Sequence, residues 1–223
     1  MKKQLLTICA FLALITGIAL HWTAGAEADA PLTYDAESVY RRSGAAVFYL
    51  RALNADGGVR TTGTGVVLSA GGAAATAYHV VKGADRLEAV FPDGTSVSPV
   101  TVVAYDESKD AAVLALPKRK SAYPAMELRA DPMAFGAKAF AIGYPLKETP
   151  IITEGIVNNP AAEINGRDRL LVSAAIASGM SGGPIVDEEG RIAGIVSGSL
   201  RTMNNIHLGV EIEEIRKLLA ADE

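Results

Sequence analysis

Ser181 sits in Ala177-Ser178-Gly179-Met180-Ser181-Gly182-Gly183-Pro184, a serine among three glycines closed by a proline. Glycine lets the backbone enter positive φ and lets main-chain N–H groups converge without a Cβ in the way. Acyl transfer needs that arrangement: a hydroxyl nucleophile beside N–H donors that catch a developing oxyanion. Standing alone, the block fits a glycine-rich turn between strands equally well. A serine hydroxyl is a poor nucleophile without a base, so a histidine and a group to orient it must accompany Ser181. His79 lies in Thr76-Ala77-Tyr78-His79-Val80-Val81, at the end of a small apolar run that also suits a core histidine. His207 falls in a late strand and reads as structural or surface.

Asp106 and Asp110 are the candidate acids, since both precede the apolar run Ala111-Ala112-Val113-Leu114-Ala115. Asp110 abuts that run, so a strand there holds its carboxylate at the core boundary, within reach of a histidine. Asp106 belongs to a polar Asp-Glu-Ser turn and reads as solvated. Asp110 is therefore favoured. Chain order selects the scaffold. Gly179-x-Ser181-x-Gly183 also matches the nucleophile elbow of α/β-hydrolases, which place the acid and then the histidine after the serine. Here Asp187 lies in a hairpin turn and Gly183-Pro184 leads into a strand, not a helix. Subtilisin order would put the acid before His79, where no parallel βα pattern exists. Histidine, then aspartate, then serine is the chymotrypsin order, and it fits the residues available.

The elements that must position these groups read as β. Asp35 to Arg42 forms a short helical turn. Strand candidates follow at Ala46–Leu50, Gly65–Ser69, Arg86–Phe91, Val97–Ala104 and Ala111–Ala115. Lys118 to Pro132 is a looser, charged and proline-bearing connector. Further strands are expected at Lys138–Ile142, Ile151–Val157, Leu170–Ala174, Gly183–Val186, Arg191–Ser197 and Ile206–Val210, with Asp187-Glu188-Glu189-Gly190 as a hairpin turn. Ile215, Leu218 and Leu219 recur at helical spacing in a closing helix, Glu213–Ala220. Such a series implies an antiparallel all-β fold, either two small barrels or a sandwich.

Of the 223 residues, 49% are hydrophobic and 21% charged, which suits one or two ordinary soluble domains. Lys2 and Lys3 precede an apolar run, Leu5 to Leu20, and Ala24-Gly25-Ala26 offers small residues at cleavage spacing. Residues 1–26 thus read as a signal peptide cut before Glu27, which implies export to the periplasm or the extracellular space. The run is short and broken for a membrane anchor, and the residues around Cys9 do not favour lipidation. Residues 27–223 keep no Cys, no Trp and two His; losing two lysines and no acid moves the formal charge from −4 to −6. Without disulfides the core must suffice alone. The mild acidity and lack of a basic run argue against nucleic acid, and two distant histidines without cysteine against a transition metal. No cofactor is expected.

Thr76-Ala77-Tyr78-His79-Val80, Asp110-Ala111-Ala112-Val113-Leu114 and Gly179-Met180-Ser181-Gly182-Gly183-Pro184 resemble the three catalytic blocks of trypsin-fold serine proteases. The disulfide-free bacterial HtrA/Deg type matches best, and Gly63-Thr64-Gly65 and Gly143-Tyr144-Pro145 are similar too. The resemblance covers about residues 36–220. It implies two six-stranded antiparallel β-barrels with the triad between them, an N-terminal barrel in 27–120 and a C-terminal barrel and helix in 133–223. It further implies a serine endopeptidase acting on proteins or peptides through His79, Asp110 and Ser181, with the N–H groups of Gly179 and Ser181 as oxyanion hole. A pocket lined by Ala175, Ile176, Val196, Ser197, Gly198 and Ser199 would take small or medium apolar residues, with Glu211 near its floor. Ser197 would support the triad or pair with substrate backbone, or serve as a plain strand serine.

Two departures bear on regulation. The chain runs only four residues past Leu219, so the PDZ domain usual in the HtrA type is expected to be absent. Met180 stands where Asn or Asp is common; a thioether cannot pair with a newly cut amino terminus, so activation by that route is not expected. The alternatives are a catalytically silent protease fold used for binding, as in a chaperone-like module, and a purely structural secreted β domain.

Overall fold

The computed structural model describes residues 35–200 and 203–221; the signal segment 1–26 lies outside the described residues. A helix, α1 (Ala36–Ser43), opens the fold, and Asp35 caps it by accepting the Ser38 N–H at 2.9 Å. Six strands follow: β1 (Val47–Leu53), β2 (Val59–Val67), β3 (Ala73–Thr76), β4 (Arg86–Val90), β5 (Ser96–Asp106) and β6 (Ala111–Ala115). One turn of helix, α2 (Tyr78–Val81), interrupts them after β3. The second half holds β7 (Lys138–Leu146), β8 (Thr149–Ile164), β9 (Arg167–Val172), β10 (Pro184–Val186), β11 (Ile192–Ser199) and β12 (His207–Glu211), then α3 (Ile212–Ala220).

Both sets close into antiparallel barrels, in the orders β1-β2-β3-β6-β5-β4 and β10-β11-β12-β9-β8-β7. Closure removes the unpaired edges an open sheet would expose. The two barrels expected from the motif resemblance are present, and the sandwich is not. Apolar side chains pack each barrel: Phe48, Leu50, Leu114 and Val66 belong to the core of the first, while Val157, Val172, Ile185 and Val196 belong to that of the second. The first core continues across the seam into Phe140, Ile142, Tyr144 and Ile195 of the second half. Tyr144 is buried there and donates its hydroxyl to the Val47 carbonyl at 3.1 Å.

β3 has no counterpart among the expected strands, and β8 runs seven residues beyond its expected end at Val157. Asn165 and Gly166 both take positive φ and join β8 to β9 as a two-residue hairpin. The connector proves tightly tied. Tyr123 and Met126 donate backbone N–H groups to Ala70 and Val67, Leu128 pairs in parallel with Ile192, and Arg129 bonds Asp187. Helix α3 packs against β5 and β6 of the first barrel as well as β11 and β12 of its own.

Candidate active site

α2 carries His79 and owes its N-terminal hydrogen bonds to Asp110. The Tyr78 N–H donates to the Asp110 carbonyl at 3.2 Å, and the His79 N–H donates to Asp110 Oδ1 at 2.9 Å. A single helical turn leaves its first N–H groups without intrahelical partners, so the acid that orients the imidazole also caps its helix. His79 Nδ1 lies 3.0 and 2.9 Å from the two carboxylate oxygens. Ser197 Oγ donates to Oδ2 at 2.6 Å from β11 in the second barrel. Asp110 takes φ +63°, a left-handed conformation that aspartate tolerates, immediately before β6. Burial pushes its carboxyl up, but bonds from the His79 ring and the Ser197 hydroxyl, the His79 charge and the His79 N–H outweigh it. The net shift is below the ordinary value. Asp106 instead stays in its turn, accepting from Ser108 Oγ and the Lys109 N–H.

Ser181 lies on the turn before β10, pressed against the first barrel. Thr64, fully buried in β2, donates its N–H to the Ser181 carbonyl at 2.8 Å and its hydroxyl to the Gly179 carbonyl at 2.8 Å. The Thr64 Oγ1 also accepts the Tyr144 N–H at 3.0 Å. Gly182, at φ +88°, approaches so closely that a Cβ would stand 2.1 Å from the Thr64 carbonyl and from Thr76 Oγ1. Gly179 takes φ +96°, against the Tyr144 carbonyl. Between them Met180 points inward, fully buried, its Sδ accepting the Ala177 N–H at 3.4 Å. Among the described residues the N–H groups of Gly179 and Ser181 donate to nothing, and no hydrogen bond joins Ser181 to His79.

Of the predicted pocket residues, Val196 meets this turn directly. Ala175 is exposed and Ile176 half-buried against the second core; Val196 is fully buried and reaches the turn through its backbone, bonded to Gly182 and Gly183. Gly198 and Ser199 pair with Leu208 and His207 in β12, and Ser199 Oγ lies 2.7 Å from His207 Nδ1. Glu211 lines a separate cavity of about 250 Å³ with Met133, Leu170 and Arg216, together with none of the pocket residues. Burial and the neighbouring Asp168 and Glu214 push its carboxyl up. Among the described residues no cluster of His, Cys, Asp and Glu could hold a metal ion, and no helix is long and apolar enough to cross a membrane.

The acid beside the imidazole, the glycine-rich serine turn and the paired barrels all lie within one stretch of chain. A model of the trypsin-like peptidase domain matches residues 63–195 of it. The chain belongs to that family. Its relatives include HtrA- and Do-type serine proteases: it is 35% identical over 143 residues to Protease Do-like 1, chloroplastic, of Arabidopsis thaliana, covering 60% of this chain and 32% of that one. To Serine protease Do-like HtrA of Lactococcus lactis it is 31% identical over 163 residues, covering 67% and 40%. The chain thus spans about a quarter to a third of the length of the curated relatives it matches first. Among solved structures, the active form of the Rv3671c protease from M. tuberculosis aligns with TM-score 0.72 and 28% identity over 82% of both chains. The serine endoprotease from Yersinia pestis aligns with TM-score 0.72 and 25% identity over 82% of this chain and 65% of that one.

Two residues of this trypsin-like domain's site had no assigned role in the sequence. Thr64 was visible only as the middle of Gly63-Thr64-Gly65, and its three bonds across the seam depend on tertiary placement. Arg169, nearly fully buried, donates to the Lys109 carbonyl at 2.9 Å, one residue before Asp110. A lone arginine in a strand carries no signal of such a contact.

Proposed function

We propose that this chain is a serine endopeptidase in which His79, Asp110 and Ser181 form the triad. The observation that carries the reading is the His79–Asp110 pair, fixed by a ring contact at 2.9 Å and a main-chain bond, beside a serine turn with unspent N–H groups. His79 Nε2 takes the Ser181 proton as Oγ attacks the peptide carbonyl, then delivers it to the leaving amine. Asp110 fixes the tautomer with the proton on Nδ1 and stabilises the imidazolium. Gly179 and Ser181 supply the oxyanion hole, about 3–4 kcal/mol per donor in comparable sites. Ala175, Ile176 and Ser197–Ser199 border a pocket for a small or medium apolar residue of a protein substrate. Residues 1–26 act as a signal peptide, so the enzyme works outside the cytoplasm, with barrels in 27–120 and 133–223.

A fluorophosphonate probe tests this on the chain from residue 27. Labelling of the wild type and none of Ser181→Ala is the expected result, with turnover falling by about three orders of magnitude or more in the variant. An unchanged peptidase activity in Ser181→Ala would remove the assignment. The missing hydrogen bond between Ser181 and His79 favours a second reading, a silent protease fold that only binds peptides. Catalytic hydrogen bonds often tighten only when substrate is bound, which keeps the enzyme ahead. A folded chain that takes no label selects the binding module.

A further inference from the structure

Beside the His79–Asp110 pair opens a cavity of about 550 Å³, lined by Tyr78, Lys82 and Glu107 on the first barrel and by Ile164, Arg167, Arg169 and Leu208 on the second. Its charges are unbalanced. Lys82 and Glu107 are ion-paired with each other at the exposed rim. Asp110 spends its oxygens on His79 and Ser197, and its charge offsets part of that of Arg169 without an ion pair between them. Arg167 and Arg169 remain, and among the described residues neither guanidinium is ion-paired; Arg169 makes one hydrogen bond, to the Lys109 carbonyl. A guanidinium carries five N–H donors in a fixed fork, and burying it with most of them unspent is costly. Arg169 is 5% exposed. Its open face is the cavity, and the group that answers a buried guanidinium best is a carboxylate.

The path of a bound peptide leads there. Gly198 and Ser199 pair with β12 on one edge, with Ser197 at the irregularity before them, and among the described residues no strand pairs with the other edge of this segment, since β10 ends its pairing at Ile195. An extended peptide adds to such an edge. Ser197 and Leu208, the partner of Gly198, both line the cavity, and because the serine turn meets this strand at Val196, a peptide added antiparallel to Ser197–Ser199 would bring side chains that precede the scissile bond to it. The Asn165-Gly166 turn holds Arg167 at the head of β9, exposed over the same opening, while the chain as a whole carries a formal charge of −4. Local positive charge against a negative whole marks a built site better than a generally basic surface would.

We propose that this cavity is a subsite for an acidic side chain of the substrate, placed two to four residues before the scissile bond and held by Arg167 and Arg169. The proposal rests on the protease reading for the course of the bound peptide. It adds an acidic requirement to the apolar pocket, so a substrate would be recognised by a carboxylate and an apolar residue a few positions apart.

The test measures binding by full-length Ser181→Ala of short fluorescein-labelled peptides of alanine and valine, carrying one Glu or one Gln at each of those three positions. At one position Glu should bind about tenfold more tightly than Gln, with the ratio shrinking as salt is raised. Adding Arg167→Gln should bring that ratio close to one, whereas Lys118→Gln, at a remote surface, should leave it unchanged. Equal affinities for Glu and Gln at all three positions overturn the subsite, and so does a preference that survives Arg167→Gln. Wild-type cleavage of the same peptides is scored separately. Cleavage without a Glu preference rejects the subsite and keeps the enzyme; a Glu preference in binding without cleavage keeps the subsite and rejects the enzyme.

Discussion

In the first barrel, His79 and Asp110 are held by side-chain hydrogen bonds: the carboxylate grips the imidazole, caps its helix and takes a third donor from Ser197. In the second barrel, Ser181 is held chiefly by the shape of the main chain, with no side-chain hydrogen bond to Ser181 itself among the described residues. Gly179 and Gly182 turn through positive φ, Met180 fills the core behind them, and Thr64 reaches across to fix two of the turn's carbonyls. Aiming N–H groups requires control of peptide planes, which only backbone geometry gives. Aiming an imidazole requires a partner for its ring nitrogen, which only a side chain gives. The first site should therefore fail when a side chain is deleted, and the second when a carbon is added.

Gly182→Ala is the most severe break. Its Cβ would meet a carbonyl and a hydroxyl of the first barrel at 2.1 Å while the backbone holds φ +88°, so neither barrel can yield without opening the seam. The combination should cost about 4 kcal/mol or more. Thermal unfolding should show a large fall in Tm, and any folded protein should take no fluorophosphonate. A variant with wild-type Tm and labelling would show that the turn has slack that the contact distances deny.

Asp187→Asn tests the other side of the comparison, because here the second barrel does depend on a side chain. The Asp187 carboxylate is nearly fully buried and bonds the guanidinium groups of Arg129 and Arg191 at 2.6 and 2.9 Å, tying the connector to the β10–β11 hairpin. Burial pushes this carboxyl up, but bonds from the Arg191 backbone and side chain and from Arg129 outweigh it and hold it below its ordinary value. A carboxyl lowered on folding stabilises the native state fully above its unfolded pKa of about 4 and loses that contribution as pH falls through the native value. The substitution should cost about 3 kcal/mol near neutrality, or about 6 to 12 °C in Tm. The gap from wild type should narrow between about pH 5 and pH 3. A gap that widens in acid would contradict the sign.

The ease of reading the sequence follows the same division. Asp110 was legible because a polar residue abutting five apolar ones marks a strand boundary, and β6 occupies Ala111–Ala115 as expected. The serine turn was legible because positive φ selects glycine, so the backbone left its shape in the residue types. β3 was not, since Ala73-Ala74-Ala75-Thr76 has weak strand propensity and becomes a strand through its pairing with β2 and β6. The full length of β8 was marked by Asn165-Gly166, a hairpin signal that the two-barrel expectation did not use. Thr64 and Arg169 were illegible for a plainer reason: each acts on a residue of the opposite barrel, and no local pattern encodes which surfaces meet.

Ser197→Ala gives the finest test, because this serine belongs to the second barrel yet acts as a side chain on the first. Its hydroxyl donates to Asp110 Oδ2 at 2.6 Å, so it holds the rotamer of the acid and helps keep the carboxylate ionised. One hydrogen bond to a charged group contributes about 1.5–3 kcal/mol, most of it recoverable here because Asp110 keeps its bonds to the His79 ring and N–H. Peptide turnover should fall about tenfold in kcat while Tm moves by less than about 4 °C. Ser197→Thr, which restores the hydroxyl, should recover most of the loss. An alanine variant with full kcat would mean that the dyad is already rigid within its own barrel. The link across the cleft would then serve to register the two barrels, and the division between side-chain and main-chain control would be sharper than the hydrogen bonds imply.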